Sequence, residues 1–161
     1  MKVKECMTPT PATCAPTTTL RLVAQLMADL DCAAIPVAQS GTVVGIITDR
    51  DIACRAVPSA TDAPNRPAAE FMSAPVIAVG PDDSIETAAS IMEENRVHHL
   101  PVLAEDGRLL GIVAQSDLGR RMTNREFGAL ARSVSIRRPP VRWGRVDAIV
   151  KSNQSEVSHA R

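Results

Sequence analysis

The hydrophobic positions fall into two kinds of spacing that alternate twice along the chain. Leu20, Val23, Met27 and Leu30 recur every three or four residues, the stripe of an amphipathic helix. Two short apolar runs follow, AIPVA from Ala34 and VVGIIT from Val43, with the turn QSGT between them. That arrangement predicts a β-hairpin. DIACRAV, from Asp51, predicts a closing helix, and Ala12 to Ala15 predicts a short extended segment ahead of the stripe. The same order then recurs: an extended Val76 to Val79, a helical stripe at Ile85, Ala88 and Met92, HLPVL, AEDGR, LLGIVA, and a last helix DLGRRM. Asp83 with Glu86 three residues on reads as a capping box opening the second stripe.

The recurrence is a duplication. An offset of 65 residues aligns Met7 with Met72, Pro16 with Pro81, Ala24 with Ala89, Met27 with Met92, and Pro36-Val37 with Pro101-Val102. One extra residue in the second hairpin raises the offset to 66, which aligns Gly41 with Gly107, Gly45 with Gly111 and Asp51 with Asp117. Each copy is a β-α-β-β-α unit too small to bury enough surface alone. The expectation is an α/β (α+β) fold in which two tandem repeats pack face to face about a pseudo-twofold axis and share a core.

Residues 1–57 form the first repeat on this reading, and residues 68–122 the second. Residues 58–67 hold three prolines and no periodicity, and are expected to be a linker. Residues 123–161 form a basic C-terminal extension, with a short helix expected from Phe127 to Arg132. Beyond about Arg137 the extension is expected to be flexible or held by a partner chain, since RRPPVRWGR cannot be helical through its prolines and residues 151–161 read as disordered. Trp143, the single tryptophan, is the one residue there expected to seek burial.

Composition narrows the classes. Hydrophobic residues make up 45% and charged residues 22%, values of a soluble globular chain. No apolar run approaches the roughly 18 residues of a membrane span. The start lacks the apolar core of a signal peptide, so a cytoplasmic location is expected. Aromatics are only 2%, which argues against stacking platforms for single-stranded nucleic acid. The cysteines Cys6, Cys14, Cys32 and Cys54 contain no CxxC pair, and are expected to be buried or half-buried thiols in a reducing compartment. Residues 1–119 hold 8 Lys+Arg against 15 Asp+Glu, a net of −7, while residues 120–161 hold 10 against 3, a net of +7. An acidic body with a basic tail can mark an interaction segment.

The chemistry concentrates where each hairpin meets its closing helix. In Gly45-Ile46-Ile47-Thr48-Asp49-Arg50-Asp51, Gly45 permits close approach of another chain segment or a ligand. Thr48 stands at an N-cap position, with free backbone N–H groups behind it. Asp51, one turn in, could accept hydrogen bonds from both hydroxyls of a ribose; alternatively Thr48 caps the helix and Asp51 merely complements its dipole. Arg50 could reach a phosphate or be a solvated charge. Two adjacent histidines, His98 and His99, rarely chelate one ion, and no carboxylate or cysteine is spaced to complete a metal site. On an extended segment they should point to opposite faces. No P-loop, GxSxG, HExxH or spaced acid–base pair is present, so a non-enzyme is expected.

These motifs together resemble the CBS-domain pair, the Bateman module named after cystathionine β-synthase. The resemblance rests on the Gly45 to Asp51 motif, on Gly111-Ile112-Val113-Ala114-Gln115-Ser116-Asp117, on the Pro36-Val37 and Pro101-Val102 strands, and on the Met7-Thr8 and Met72-Ser73 openings. It covers about 115 residues. It implies a regulatory module that binds an adenosine-containing molecule, most often AMP, ADP or ATP and in some members S-adenosylmethionine or a dinucleotide, with no required cofactor. It also implies a homodimer, commonly a flat disk, and an unidentified regulated partner. The helix stripe of Leu20, Val23, Met27 and Leu30 would supply apolar surface for that dimer.

Carried over by position, the resemblance implies two clefts. Cleft A would use Thr48 and Asp51 with Val76, Ile77, His98 and His99. Cleft B would use Ala114 and Asp117 with Pro11, Ala12, Ala33 and Ala34. Ala114 has no hydroxyl, and Ala33 and Ala34 stand where cleft A has histidines, so cleft A is expected to bind more tightly. Protonated histidine would add attraction near its ordinary pKa. Two competing readings are a dimerisation or adaptor domain with empty clefts, and nucleic-acid binding through Arg120, Arg121, Arg125, Arg132, Arg137, Arg138, Arg142 and Arg145.

Overall fold

The fold is described from a computed structural model, over residues 1–59 and 61–135. Each hairpin closes on a left-handed turn. Strand β2 (Ala34–Gln39) reverses into β3 (Thr42–Thr48) through Ser40 and Gly41, with φ of 51° and 85°, as a two-residue loop requires. Strand β4 (His99–Leu103) returns as β5 (Leu109–Ala114) through a longer turn that places Gly107 at φ 81°. The two ladders share a register: Val37 pairs with Gly45 and Val102 with Gly111, and each carries an irregularity immediately after. The expected extended segments contribute single parallel bridges rather than strands, Cys14 to Val37 and Val79 to Val102.

The openings of the two repeats are exchanged. Strand β1 (Thr8–Pro9) of repeat 1 pairs antiparallel with β5 of repeat 2, setting Thr8 against Ile112 and Pro9 against Gly111. Ser73 of repeat 2 makes the matching bridge to Ile46 on β3 of repeat 1. Methionine side chains lie over the facing glycines. A Cβ at Gly45 would sit 2.6 Å from Met72 Sδ, and one at Gly111 would sit 2.5 Å from Met7 Sδ. The close approach expected at Gly45 is therefore made by chain.

The exchange also divides the interior. One expected shared core is instead two clusters. Val3 is buried among the repeat 2 residues Ile85, Met92, Leu100 and Val113. Ala68 and Phe71 are buried among the repeat 1 residues Leu20, Val23, Ile35 and Ile47. Each repeat is completed by the segment that opens the other.

Helix α1 (Leu20–Asp29) buries Leu20, Val23 and Met27 inside its own repeat, but Leu30, past the last turn, is 52% exposed. The first three residues of the predicted stripe thus pack into the core of their own repeat. The linker is docked against the start of this helix: Leu20 N–H donates to Arg66 O at 2.9 Å, Ala68 N–H donates to Thr18 O at 2.8 Å, and Ala63 is buried. Thr48 leads into a short α2 (Asp49–Asp51), a π-helical turn at Ile52–Ala56 and α3 (Val57–Ser59).

Helix α4 (Ile85–Asn95) starts from Ser84, whose hydroxyl accepts from Thr87 N–H at 3.1 Å. Asp83 is not the cap. It lies one residue too early and accepts from Gly80 N–H at 2.8 Å, tightening the preceding turn. Helix α5 (Gln115–Gly119) stops earlier than DLGRRM suggests. Helix α6 (Asn124–Ser135) is longer than expected and buries Leu130 and Val134 in the repeat 2 core. It passes so close to α5 that a Cβ on Gly119 would meet the Phe127 ring at 2.5 Å. The expectations for Arg137, Trp143 and the rest of the tail lie outside the described residues.

The four cysteines are free thiols: Cys14 is buried and Cys6 and Cys32 half-buried, whereas Cys54 is exposed, contrary to expectation. No helix among the described residues is long and apolar enough to cross a membrane.

Candidate functional site

Thr48 ends β3 in extended backbone and caps α2 from its side chain. Thr48 Oγ1 donates to Asp51 Oδ2 at 2.7 Å and accepts from Asp51 N–H at 3.2 Å. Thr48 N–H donates to the same Oδ2 at 2.9 Å. This is a reciprocal capping box. The other oxygen, Asp51 Oδ1, faces Arg55 Nη1 at 3.2 Å, and Asp51 as a residue is only 9% exposed. Burial of that carboxylate is offset by two hydrogen bonds and one cation.

The second repeat keeps half of this device. Ala114 N–H donates to Asp117 Oδ2 at 2.8 Å, and Arg120 Nη1 lies 3.8 Å from Asp117 Oδ1. Ala114 has no hydroxyl, so the α5 N–H groups lack the side-chain acceptor that Thr48 supplies to α2.

Between these two helix starts lies a cavity of about 500 Å³, within the size range of small-molecule sites. Its wall holds Ala33, Ile46, Thr48, Asp49, Arg50, Asp51, Ser73, Val97, His98, His99, Ala114, Gln115 and Ser116. Duplicated positions line it in pairs, one from each repeat: Ala33 and His98, Thr48 and Ala114, Asp49 and Gln115, Arg50 and Ser116. The cavity therefore straddles the pseudo-twofold.

Residues assigned to separate clefts share this space. Thr48, Asp51, His98 and His99 from cleft A meet Ala33 and Ala114 from cleft B. Other assigned residues are not on this wall. Val76 is half-buried and Ile77 is 37% exposed. Pro11 and Ala12 are half-buried, with Ala12 packed against the repeat 1 core. Ala34 is buried and pairs with Thr48 in the β2–β3 ladder. Asp117 is turned toward Ala114 N–H and Arg120. Sequence reasoning passed over Asp49, Gln115 and Ser116. The signal was present, since they occupy the variable positions between cap and aspartate in the two motifs.

The histidines do not point to opposite sides of the site. His98 lies in a bend just before β4, and both histidines line the cavity. His98 Nδ1 is 2.7 Å from Gln115 Oε1, and Gln115 N–H donates to His98 O at 2.8 Å, tying the entry of β4 to the start of α5 within repeat 2. Burial and the neighbouring His98 push the His99 pKa below its ordinary 6.5, against a weaker upward pull from Asp49 and Asp117. Arg50 on this wall is exposed and flanked by Asp49 and Asp51. Among the described residues no three His, Cys, Asp or Glu side chains gather to hold a metal ion.

Two tandem repeats with exchanged openings and a cavity between their helix starts define a duplicated α/β module. The CBS domain family matches residues 3–56 and 68–124, and the chain belongs to it. It is similar to the CBS domain-containing protein YhcV of Bacillus subtilis, 35% identical over 134 residues, covering 83% of this chain and 94% of that one. The crystal structure of the CBS domain protein TA0289 from Thermoplasma acidophilum superposes with a TM-score of 0.77 at 25% identity, over 83% of this chain and 75% of that chain. The CBS domain pair of protein MJ0100, in complex with 5′-methylthioadenosine and S-adenosyl-L-methionine, gives a TM-score of 0.69 at 25% identity, over 75% of this chain and 94% of that chain.

Proposed function

We propose that the cavity binds an adenosine-containing ligand, with AMP, ADP and ATP the first candidates, and that the protein is a non-catalytic cytoplasmic sensor acting on a regulated partner. The observation that carries this reading is the Thr48–Asp51 pair on the wall of a cavity astride the pseudo-twofold. A carboxylate held by its cap, with lone pairs left on Oδ1, suits the two hydroxyl donors of a ribose. Arg50 on the same wall suits a phosphate. The adenosine compounds bound by the MJ0100 pair support the ligand class. The repeats themselves are taken as residues 1–57 and 68–122.

The asymmetry of the wall favours the Thr48 side. Phosphate or ribose contacts there gain a hydroxyl that Ala114 cannot offer. The contribution expected from protonated His99 is dropped at neutral pH, because burial pushes its pKa below the ordinary 6.5.

A thermal-shift screen of AMP, ADP, ATP, NAD(H) and S-adenosylmethionine tests the reading, since a ligand that binds the native state raises Tm. An increase with at least one adenosine compound, absent in Asp51→Ala, is the expected result. No increase with any of them leaves the empty-cleft adaptor reading in its place. Binding of a polyanionic nucleic acid instead, lost on raising salt, would turn attention to the exposed Arg120, Arg121, Arg125 and Arg132.

A further inference from the structure

The Asp51 carboxylate on the cavity wall is short of free acceptor sites. An ionised carboxylate offers about four, shared equally between its oxygens. Oδ2 uses both of its sites on Thr48, accepting from the backbone N–H at 2.9 Å and from the hydroxyl at 2.7 Å. Oδ1 accepts from Arg55 Nη1 at 3.2 Å. A single site on Oδ1 is left, whereas the 2′ and 3′ hydroxyls of a ribose bring two donors. The Thr48 contacts form the helix cap and hold the carboxylate in place. A ribose that sets both hydroxyls on Asp51 must therefore take the site that Arg55 holds.

Arg55 is placed to give that site up. Its contact is longer than the about 2.7–2.9 Å of a strong charge-assisted hydrogen bond, and it is a single contact, not a bidentate fork. Its side chain is 49% exposed, against 12% for that of Asp51. An arginine half in water exchanges such a contact for solvent at little cost. Among the described residues its guanidinium has no other carboxylate partner.

The second repeat supplies the contrast. Arg120 follows Asp117 by three residues, but its Nη1 is 3.8 Å from Oδ1, beyond hydrogen-bond distance, and its side chain is 76% exposed. Asp117 Oδ2 accepts from Ala114 N–H, and Ala114 has no hydroxyl to add. Asp117 is thus the less occupied carboxylate, yet Asp51 is the one that lines the cavity. The arginine closes on the aspartate that faces the ligand space.

We infer, on the ribose reading of Asp51, that Arg55 is an internal competitor for the ligand: it holds Asp51 Oδ1 until a ribose diol arrives, and yields it on binding. Arg55 is then a positioning residue that sets affinity through Asp51. Binding also releases its guanidinium to solvent, so that a surface cation one turn from the cavity tracks occupancy.

Calorimetry with adenosine and 2′-deoxyadenosine, on the parent, Arg55→Met and Arg55→Lys, tests this. Neither nucleoside carries a phosphate, so loss of the arginine charge does not enter through phosphate attraction. Arg55→Met is expected to bind adenosine on the order of 3- to 5-fold more tightly than the parent, the size of a half-exposed ion pair. Its affinity for 2′-deoxyadenosine is expected to match the parent's, because a single hydroxyl fits the site that Arg55 leaves free. Arg55→Lys keeps the charge and is expected to fall between the two for adenosine. Unchanged or weaker adenosine binding by Arg55→Met, or an equal gain toward 2′-deoxyadenosine, would overturn the inference and leave the ribose reading standing. If neither the parent nor the variants bind adenosine, the ribose reading itself fails and the inference falls with it.

Discussion

Arg55 Nη1 lies 3.2 Å from Asp51 Oδ1, one helical turn downstream of it, while the other oxygen of the same carboxylate holds the Thr48 hydroxyl. One aspartate thus does two jobs at the cavity. It caps a helix inside its own repeat, and it presents a partly engaged oxygen to whatever occupies the space.

Asp51→Ala should separate these jobs. Removing the carboxylate half of the capping box should cost about 1 kcal/mol of stability, read by urea denaturation. Ligand affinity should fall roughly 10- to 100-fold, the worth of a hydrogen bond to a charged group. Asp117→Ala should weaken binding less, because its repeat has Ala114 where the other has Thr48. Calorimetry on both variants decides the matter; equal losses would contradict the asymmetry.

Gly45→Ala and Gly111→Ala should destabilise the fold although both positions lie in strands. At Gly45 the new methyl would meet Met72 Sδ at 2.6 Å and the Ser73 carbonyl oxygen at 3.0 Å; at Gly111 it would meet Met7 Sδ at 2.5 Å and the Thr8 carbonyl oxygen at 2.9 Å. The methionines can swing aside but the carbonyls belong to the exchanged segments. A loss of about 1–3 kcal/mol is expected for each, as for other overpacked cores. Adding Met72→Ala to Gly45→Ala should recover only part of it. Full recovery in the urea midpoint would mean that the carbonyl contact is unimportant.

The acid limb of stability should carry a His99 signature. Burial holds its folded pKa below the ordinary 6.5. Below pH 6.5 the unfolded chain therefore binds a proton that the folded chain refuses. The His99 contribution is intact above pH 6.5 and is lost as pH falls from there toward the folded pKa. His99→Gln should flatten the fall of Tm between pH 6.5 and 5. An unchanged slope in that variant would show that other groups control the limb.

The thiols should react in order of exposure and charge. Burial raises Cys14 to about 11 and raises Cys6 and Cys32 by smaller amounts, while Cys54 is exposed. Iodoacetamide at pH 8 should modify Cys54 first and Cys14 last. Mass spectrometry of the peptides gives the order. Early labelling of Cys14 in the native protein would mean that its repeat opens readily.

Local pattern and elementary chemistry make much of this protein readable from its sequence. The three-and-four spacing of Leu20, Val23 and Met27 marked a helix because one face of a helix meets one core. The 65-residue offset marked two copies because equal sequences fold into equal units. Thr48 was readable as a cap because a hydroxyl at a strand–helix junction meets free N–H groups within its own reach. Where two local signals competed, the reading failed: Asp83 and Ser84 both precede α4, and only the observed turn at Gly80 shows that Asp83 is already engaged. The tertiary structure alone decided the rest. The exchange of Met7-Thr8 and Met72-Ser73 between repeats, and the bend that turns both histidines to one cavity, depend on contacts between distant residues. So does the sealing of α4 by Leu130 and Val134. Periodicity records which side of an element is apolar; it does not record which distant segment covers that side.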